Sequence, residues 1–172
     1  MDRKVLVVID MQNDFIDGAL GTKEAQAIIE NVYQVIQSFE GEVVFTRDTH
    51  FENYADTQEG KKLPIPHCIK GTNGWQINSK LKNLIKPETK IFDKITFGST
   101  ELTEYLKNNK ELEKVTLAGL CTDICIISNA LLIKANLPEV EIEVLENCCA
   151  GVTPESHINA LNAMKMCQIS VK

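Results

Sequence analysis

The chain has 172 residues, a formal charge of −6 and ordinary apolar and charged fractions, which suits one domain over 1–172 with one sizeable core. An acidic balance gives no basic footprint for nucleic acid and does not favour an anionic membrane surface. The charged lead-in Met1-Asp2-Arg3-Lys4 opens onto an apolar run, Val5 to Ile9, too short for a signal-peptide core or a membrane span, so the expectation is a cytoplasmic protein.

Lys4 to Ile9 is continuous and rich in β-branched residues, the pattern of a fully buried strand closed by Asp10. Thr22 to Phe39 carries Ala25, Ile28, Ile29, Val32, Val35, Ile36 and Phe39 on one helical face, and Gly41 ends it. Glu42 to Thr46 is a second strand. From Arg47 to about Trp75 runs a long loop with two of the three histidines, and loops of that length inside a compact domain are commonly functional. Asn78 to Ile85 reads as a short helix, Lys90 to Asp93 as a strand, and Ser99 to Asn108 as a helix with Ser99 or Thr100 as cap. Val115 to Ala118 is a fourth strand. Asp123 to Ala135 is a helix apolar nearly all round, hence buried. Val140 to Leu145 is a fifth strand, Pro154 to Met164 a helix capped by Thr153, and Gln168 to Val171 a last strand. This alternation predicts a three-layer αβα domain around a mostly parallel sheet.

Six cysteines are many for this length. Nothing points to secretion and the spacings do not match a zinc knuckle, so they read as reduced thiols, most of them small apolar fillers.

Ligands in open α/β sheets sit beyond the carboxyl ends of the strands. Strand one ends at Asp10, strand two at Asp48 and His50, strand three at Lys94. Strand four runs into Gly119-Leu120-Cys121-Thr122-Asp123-Ile124-Cys125. Cys125 falls in the first turn of the following helix, where backbone N–H groups and the helix dipole favour a thiolate and can receive an oxyanion. Taken alone it reads as a buried filler; its partners change that. Cys121 is the rival nucleophile, placed where its backbone N–H matters more than its sulfur. Asp10 is the nearest substitute for a histidine base, and Lys94 would hold it ionised. Asp48 and His50, two apart on an extended segment, share a side, and His67 returns from the loop. One carboxylate and two imidazoles suit a Zn, Fe or Mn ion, with Glu59 or Asp56 as a fourth ligand.

These residues resemble the nicotinamidase/pyrazinamidase branch of the isochorismatase-like cysteine hydrolases. Asp10-Met11-Gln12-Asn13-Asp14-Phe15 is similar to the family's Asp-x-Gln-x-Asp-Phe. Thr46 to His50, Pro66 to Thr72, and Lys94 to Phe97 follow its metal and lysine segments. Gly119 to Cys125 is similar to Gly-x-x-Thr-Asp-x-Cys, its most specific signature. The resemblance implies an acyl-enzyme on Cys125, proton shuttling by Asp10 with support from Lys94, and a cis Leu120–Cys121 bond that aims the N–H groups of Cys121 and Cys125 at the oxyanion. It implies a divalent metal, zinc foremost, at Asp48, His50 and His67 with Glu59 as possible fourth ligand, where it would polarise the substrate ring nitrogen. The chain departs from the family around Leu63 to Pro66, where an aromatic and a second proline are usual. Phe15 and Trp75 are candidate pocket walls. The function implied is conversion of nicotinamide to nicotinate and ammonia. Hydrolysis of another small amide or carbamoyl compound is the alternative, and a metabolite-binding or thiol redox-sensing module is the alternative of another class. The expected partner is a small-molecule amide, with self-association as in other members.

Overall fold

A computed structural model describes residues 3–172; Met1 and Asp2, the start of the charged lead-in, lie outside the described residues. Strands β1 (Lys4–Ile9), β2 (Glu42–Asp48), β3 (Ile91–Lys94), β4 (Lys114–Leu120), β5 (Glu141–Ala150) and β6 (Ser170–Val171) form one sheet in the order β3-β2-β1-β4-β5-β6. Every pairing is parallel, so the sheet is more uniform than the alternation of elements alone required. Purely parallel sheets bury both faces, and β1 shows it: Val5 to Ile9 are all fully buried.

Alternate residues of β1 feed two apolar layers. Val5, Val7 and Ile9 pack with Leu102 and Leu106 of α6 (Thr100–Lys107), Ala130 and Ile133 of α7 (Ile127–Asn136), and Leu161 and Met164 of α8 (Pro154–Met166). Leu6 and Val8 pack against the opposite layer. That layer holds Phe15 and Ile16 of α1 (Asn13–Ile16), Ala25 of α2 (Lys23–Ala27), Val32 and Ile36 of α3 (Ile29–Ser38) and Leu81 of α5 (Ser79–Lys82). Each Val, Leu, Ile, Phe or Met side chain among them contributes about 1.5–3 kcal/mol when fully removed from water. The helix expected over 22–39 is interrupted at Ile28, so its amphipathic stripe is carried by two segments. Helix α7 buries Asn129, Ala130 and Ile133 but leaves Leu131 38 % exposed, so its apolar surround is only partly covered.

The order of the strands reverses direction between β1 and β4. The chain leaves β1 toward β2 on one side and later returns to place β4 on the other. That divergence opens a crevice beyond the carboxyl ends of these two strands. Gly119 makes their close approach possible: its φ is +124°, and a Cβ there would collide with the Ile9 carbonyl oxygen.

Candidate active site

The segment after β1 turns sharply, with Asp10 itself in the left-handed region at φ +49°, a conformation that Asp tolerates better than most residues. Its carboxylate is fully buried. Thr46 Oγ1 donates to Oδ1 at 2.6 Å, and Lys94 Nζ lies 2.6 Å from Oδ2. Lys94, 4 % exposed at the end of β3, also donates to Cys125 Sγ at 3.4 Å, to the Thr96 carbonyl at 3.1 Å and to Asp48 Oδ1 at 3.3 Å. One ammonium therefore joins the candidate base, the candidate nucleophile and the second acid. Burial raises the Asp10 carboxyl above its ordinary value, with the Lys94 charge opposing. Burial also pushes the Cys125 thiol well up, again against the pull of Lys94, and the neighbouring Asp10 adds to the rise. Burial thus favours the neutral form of both groups, and the Lys94 ammonium between them works in the opposite direction.

Cys125 does not open a regular α-helix. Thr122–Ile126 winds as a wide π-type turn, with the Ile126 N–H donating to the Cys121 carbonyl at 3.0 Å, and α7 begins only at Ile127. Such turns recur at functional sites because they redirect single side chains and amides. The Leu120–Cys121 peptide bond is cis. Burial and the neighbouring Asp123 carboxylate push the Cys121 thiol up to about 12. Asn129, fully buried, donates to the carbonyls of Cys125 and Phe97 and accepts from the Ser99 N–H, tying the turn to the segment after β3. Thr122 Oγ1 lies 2.7 Å from His157 Nδ1, which anchors the same turn to α8.

The long loop between β2 and α5 is largely ordered by a second cluster. Side-chain ligand atoms of Asp48, His50, Glu59 and His67 all lie within 4.8 Å of one another. Glu59 sits on α4 (Gln58–Lys62), a short helix capped by Thr57; exposed Asp56 does not join the group. The strand-like segment after His67 pairs with His50: its N–H donates to the Cys68 carbonyl at 3.0 Å, and the Lys70 N–H donates back to the His50 carbonyl at 2.9 Å. The imidazoles meet edge to face at 4.8 Å between centroids, and Tyr54 meets both.

Three observations fit this cluster to a divalent ion. His67 Nδ1 stands 2.8 Å from the Ile65 carbonyl, which only accepts, so Nδ1 is the donor there and Nε2, the nitrogen that faces Asp48 and Glu59, is left as the ligand atom. Among the described residues, buried His50 Nε2 finds no hydrogen bond of proper geometry, although Asp48 Oδ2 is 2.9 Å away. Two imidazoles with two carboxylates are a borderline N/O donor set, suited to Zn, Fe or Mn. Burial alone would raise the Asp48 carboxyl, but the facing imidazoles and the Lys94 ammonium hold it well below the usual carboxylate range. Glu59, less well paired, is raised by burial and by Asp48.

Both clusters open onto one cavity of about 440 Å³. Its floor includes Asp48, His50, His67 and Cys125, and its apolar wall includes Phe15 and Ile95. Phe15 also rests against His67, ring centroids 5.5 Å apart. Trp75 is placed elsewhere than the sequence reading put it. Its indole N–H donates to Thr49 Oγ1 at 2.9 Å, the Arg47 guanidinium stacks on its ring at 3.7 Å, and it does not line the cavity.

A search for related proteins matches the model of the isochorismatase domain over residues 4–171. The chain belongs to the isochorismatase family. An uncharacterized isochorismatase-family protein of Bacillus subtilis is 32 % identical, with 93 % of each chain covered. Among solved structures, a pyrazinamidase/nicotinamidase from Streptococcus mutans superposes with a TM-score of 0.86 at 30 % identity, covering 98 % of this chain and 99 % of that one. A pyrazinamidase of Pyrococcus horikoshii in complex with zinc gives 0.84 at 28 % identity, covering 99 % and 98 %. This isochorismatase-family fold brings Asp10, Lys94 and Cys125 together, brings Asp48, His50, Glu59 and His67 together, and sets Phe15 on the shared cavity. Sequence reasoning passed over Thr46 and Asn129. Thr46 had a signal available: it lies two residues before Asp48 on an extended strand and so points to the same side.

Proposed function

We propose that this chain is an amidase that hydrolyses nicotinamide to nicotinate and ammonia through a thioester on Cys125. The observation that carries the reading is the position of Lys94 Nζ, within 2.6 Å of Asp10, 3.3 Å of Asp48 and 3.4 Å of the Cys125 sulfur. The Cys125 sulfur and the metal-competent cluster line one cavity, and Lys94 ties the buried base Asp10 to both. The similar proteins named for nicotinamide and pyrazinamide hydrolysis support a flat ring amide as substrate, and the zinc complex among them supports zinc as the ion.

The residues perform the reaction as follows. Cys125 Sγ bonds to the carboxamide carbon while its proton passes to Asp10. The carbonyl electron pair moves onto oxygen, where the backbone N–H groups of Cys121 and Cys125 receive it. Asp10 gives its proton to the amide nitrogen, the C–N bond breaks, and ammonia leaves a thioester on Cys125. Water then adds to the thioester carbon, losing one proton to Asp10. The C–S bond breaks, the thiolate recovers the proton from Asp10, and the acid's own proton ends on ammonia. Lys94 holds Asp10 in place through both half-reactions and balances its charge. Asp48, His50, Glu59 and His67 would hold a divalent ion, which would offer the ring nitrogen a Lewis-acid contact. Phe15 packs the ring face.

The test is ammonia release from nicotinamide by zinc-loaded wild type and Cys125→Ala. Turnover is expected in the first and none in the second. A fully active Cys125→Ala protein, or no release by the zinc-loaded wild type, would refute the proposal.

A further inference from the structure

The segment after β1 reaches both halves of the cavity through alternate residues. Asp10 faces Lys94. Two residues on, Gln12 is fully buried, and its amide pairs with both backbone groups of Asp48: Oε1 accepts from the Asp48 N–H at 2.7 Å, and Nε2 donates to the Asp48 carbonyl at 2.8 Å. Nε2 also donates to the Trp75 carbonyl at 2.9 Å. The side chain thus stands in for β1 at the end of β2, where β1 has turned away and only β3 still pairs. Two residues further, Asp14 Oδ2 accepts from the Cys68 N–H at 2.7 Å. Cys68 directly follows His67 and sits in the left-handed region at φ +48°, which a bulky residue adopts only when held. Gly74 leaves the space for this carboxylate, since a Cβ there would collide with it. The remaining Asp14 oxygen accepts from Ala19 at 3.3 Å.

We infer that Gln12 and Asp14 are positioning residues for the metal cluster: Gln12 fixes Asp48, and Asp14 fixes His67. The inference deepens the proposed function and rests on its metal reading. Neither side chain touches the ligand atoms, so their effect passes through the backbone of the ligand or its neighbour. Outer partners of this kind typically contribute roughly 10–100-fold in metal affinity. Chemistry fixes which replacements work. Gln12 must donate and accept, so an isosteric carboxylate, which only accepts, would face two carbonyl oxygens. Asp14 need only accept, so Asn serves in its place.

The test measures Zn2+ affinity by competition with a chromophoric chelator in wild type, Gln12→Glu, Asp14→Ala and Asp14→Asn, alongside the rate of iodoacetamide labelling of Cys125 in the metal-free proteins. Gln12→Glu and Asp14→Ala are expected to bind Zn2+ roughly 10–100-fold more weakly, Asp14→Asn to stay within about threefold of wild type, and labelling to stay near the wild-type rate. Wild-type zinc affinity in Asp14→Ala would overturn the inference even if Gln12→Glu fails to fold. So would equal losses in Asp14→Ala and Asp14→Asn, or labelling that rises in step with lost affinity, which marks general loosening. A wild type that takes up no Zn2+ defeats both this inference and the metal reading. A wild type that binds Zn2+ but releases no ammonia defeats the proposed function alone.

Discussion

Replacing Lys94 by Met removes one charge and keeps most of the volume. The side chain is 2 % exposed and lies between two carboxylates that are themselves almost wholly buried, Asp10 at 2.6 Å and Asp48 at 3.3 Å. Removing one partner of such a pair strands the other in a medium that solvates it poorly and costs about 3–5 kcal/mol. With an unfolding entropy of roughly 2.1 cal/mol/K per residue, a chain of 172 residues then loses about 8–14 °C in Tm. The measurement is a melting curve on chelator-treated protein, so that no cation substitutes for the ammonium. The loss should depend on pH in one direction. Asp10 is already raised by burial above 3.8, and without Lys94 it rises further. A carboxyl whose folded-state pKa exceeds its unfolded value binds its proton more tightly in the folded chain, so the variant gains stability as pH falls. The Tm deficit therefore narrows as pH falls from neutral toward the ordinary carboxylate range. Adding Asp10→Asn to the variant should recover part of the loss, because the stranded charge is gone. A deficit below about 2 °C, or one that widens as pH falls, would refute the reasoning, since it would mean that Lys94 balances no buried charge.

Thr46→Val deletes the 2.6 Å donor to Asp10 with little change in volume. The acid limb of the kcat/KM profile should move up by about one to two pH units, and an unmoved limb would count against Asp10 as the base. Cys121→Ala should keep kcat/KM within about threefold because its part is played by its backbone N–H, whereas Cys125→Ala should lose at least about 10⁴-fold; steady-state assays of both variants decide it. Gly119→Ala should lower the urea midpoint by an amount equivalent to about 3 kcal/mol or more, because its Cβ would strike the Ile9 carbonyl at a φ of +124°. A midpoint unchanged by that substitution would show that β1 and β4 separate easily at the crevice.

The strands were legible because parallel strands buried on both faces must be continuous apolar runs, and Val5 to Ile9 is one. Strand ends were legible for the same reason: Asp10 closes one apolar run, and Asp48 and Lys94 follow within three residues of the last apolar residue of theirs, which is where this topology puts its crevice. Helix α4 was not. Gln58-Glu59-Gly60-Lys61-Lys62 has no apolar period, so the element that carries Glu59 read as loop. The wide turn at Cys125 was equally hidden, because Asp123 to Ala135 has the composition of an ordinary buried helix and only the hydrogen bonds of Thr122–Ile126 set it apart. Gln12 and Asp14 stood in a recognisable motif, but their partners Asp48 and Cys68 are 36 and 54 residues away, and no local pattern encodes such a contact.

Trp75 shows how parity could have corrected the reading of the wall. Side chains alternate across a strand, so Thr46 and Asp48 face one side of β2 while Phe45 and Arg47 face the other. Trp75 packs with Arg47 and Thr49, hence on the side away from the Asp48 carboxylate. Arg47 and Thr49 hold the indole there, and it does not reach the cavity, although Phe15 of the same apolar layer does. The apolar wall falls instead to Leu20, Leu63, Ile95 and Phe97 beside Phe15. Leu20, Leu63, Ile95 and Phe97 all lie outside the helices and strands, Ile95 is 73 % exposed and Phe97 41 %. Residues there follow no period of 2 or 3.6, so a sequence that announces its nucleophile and its ligands through strand ends says little about the surface that selects the amide.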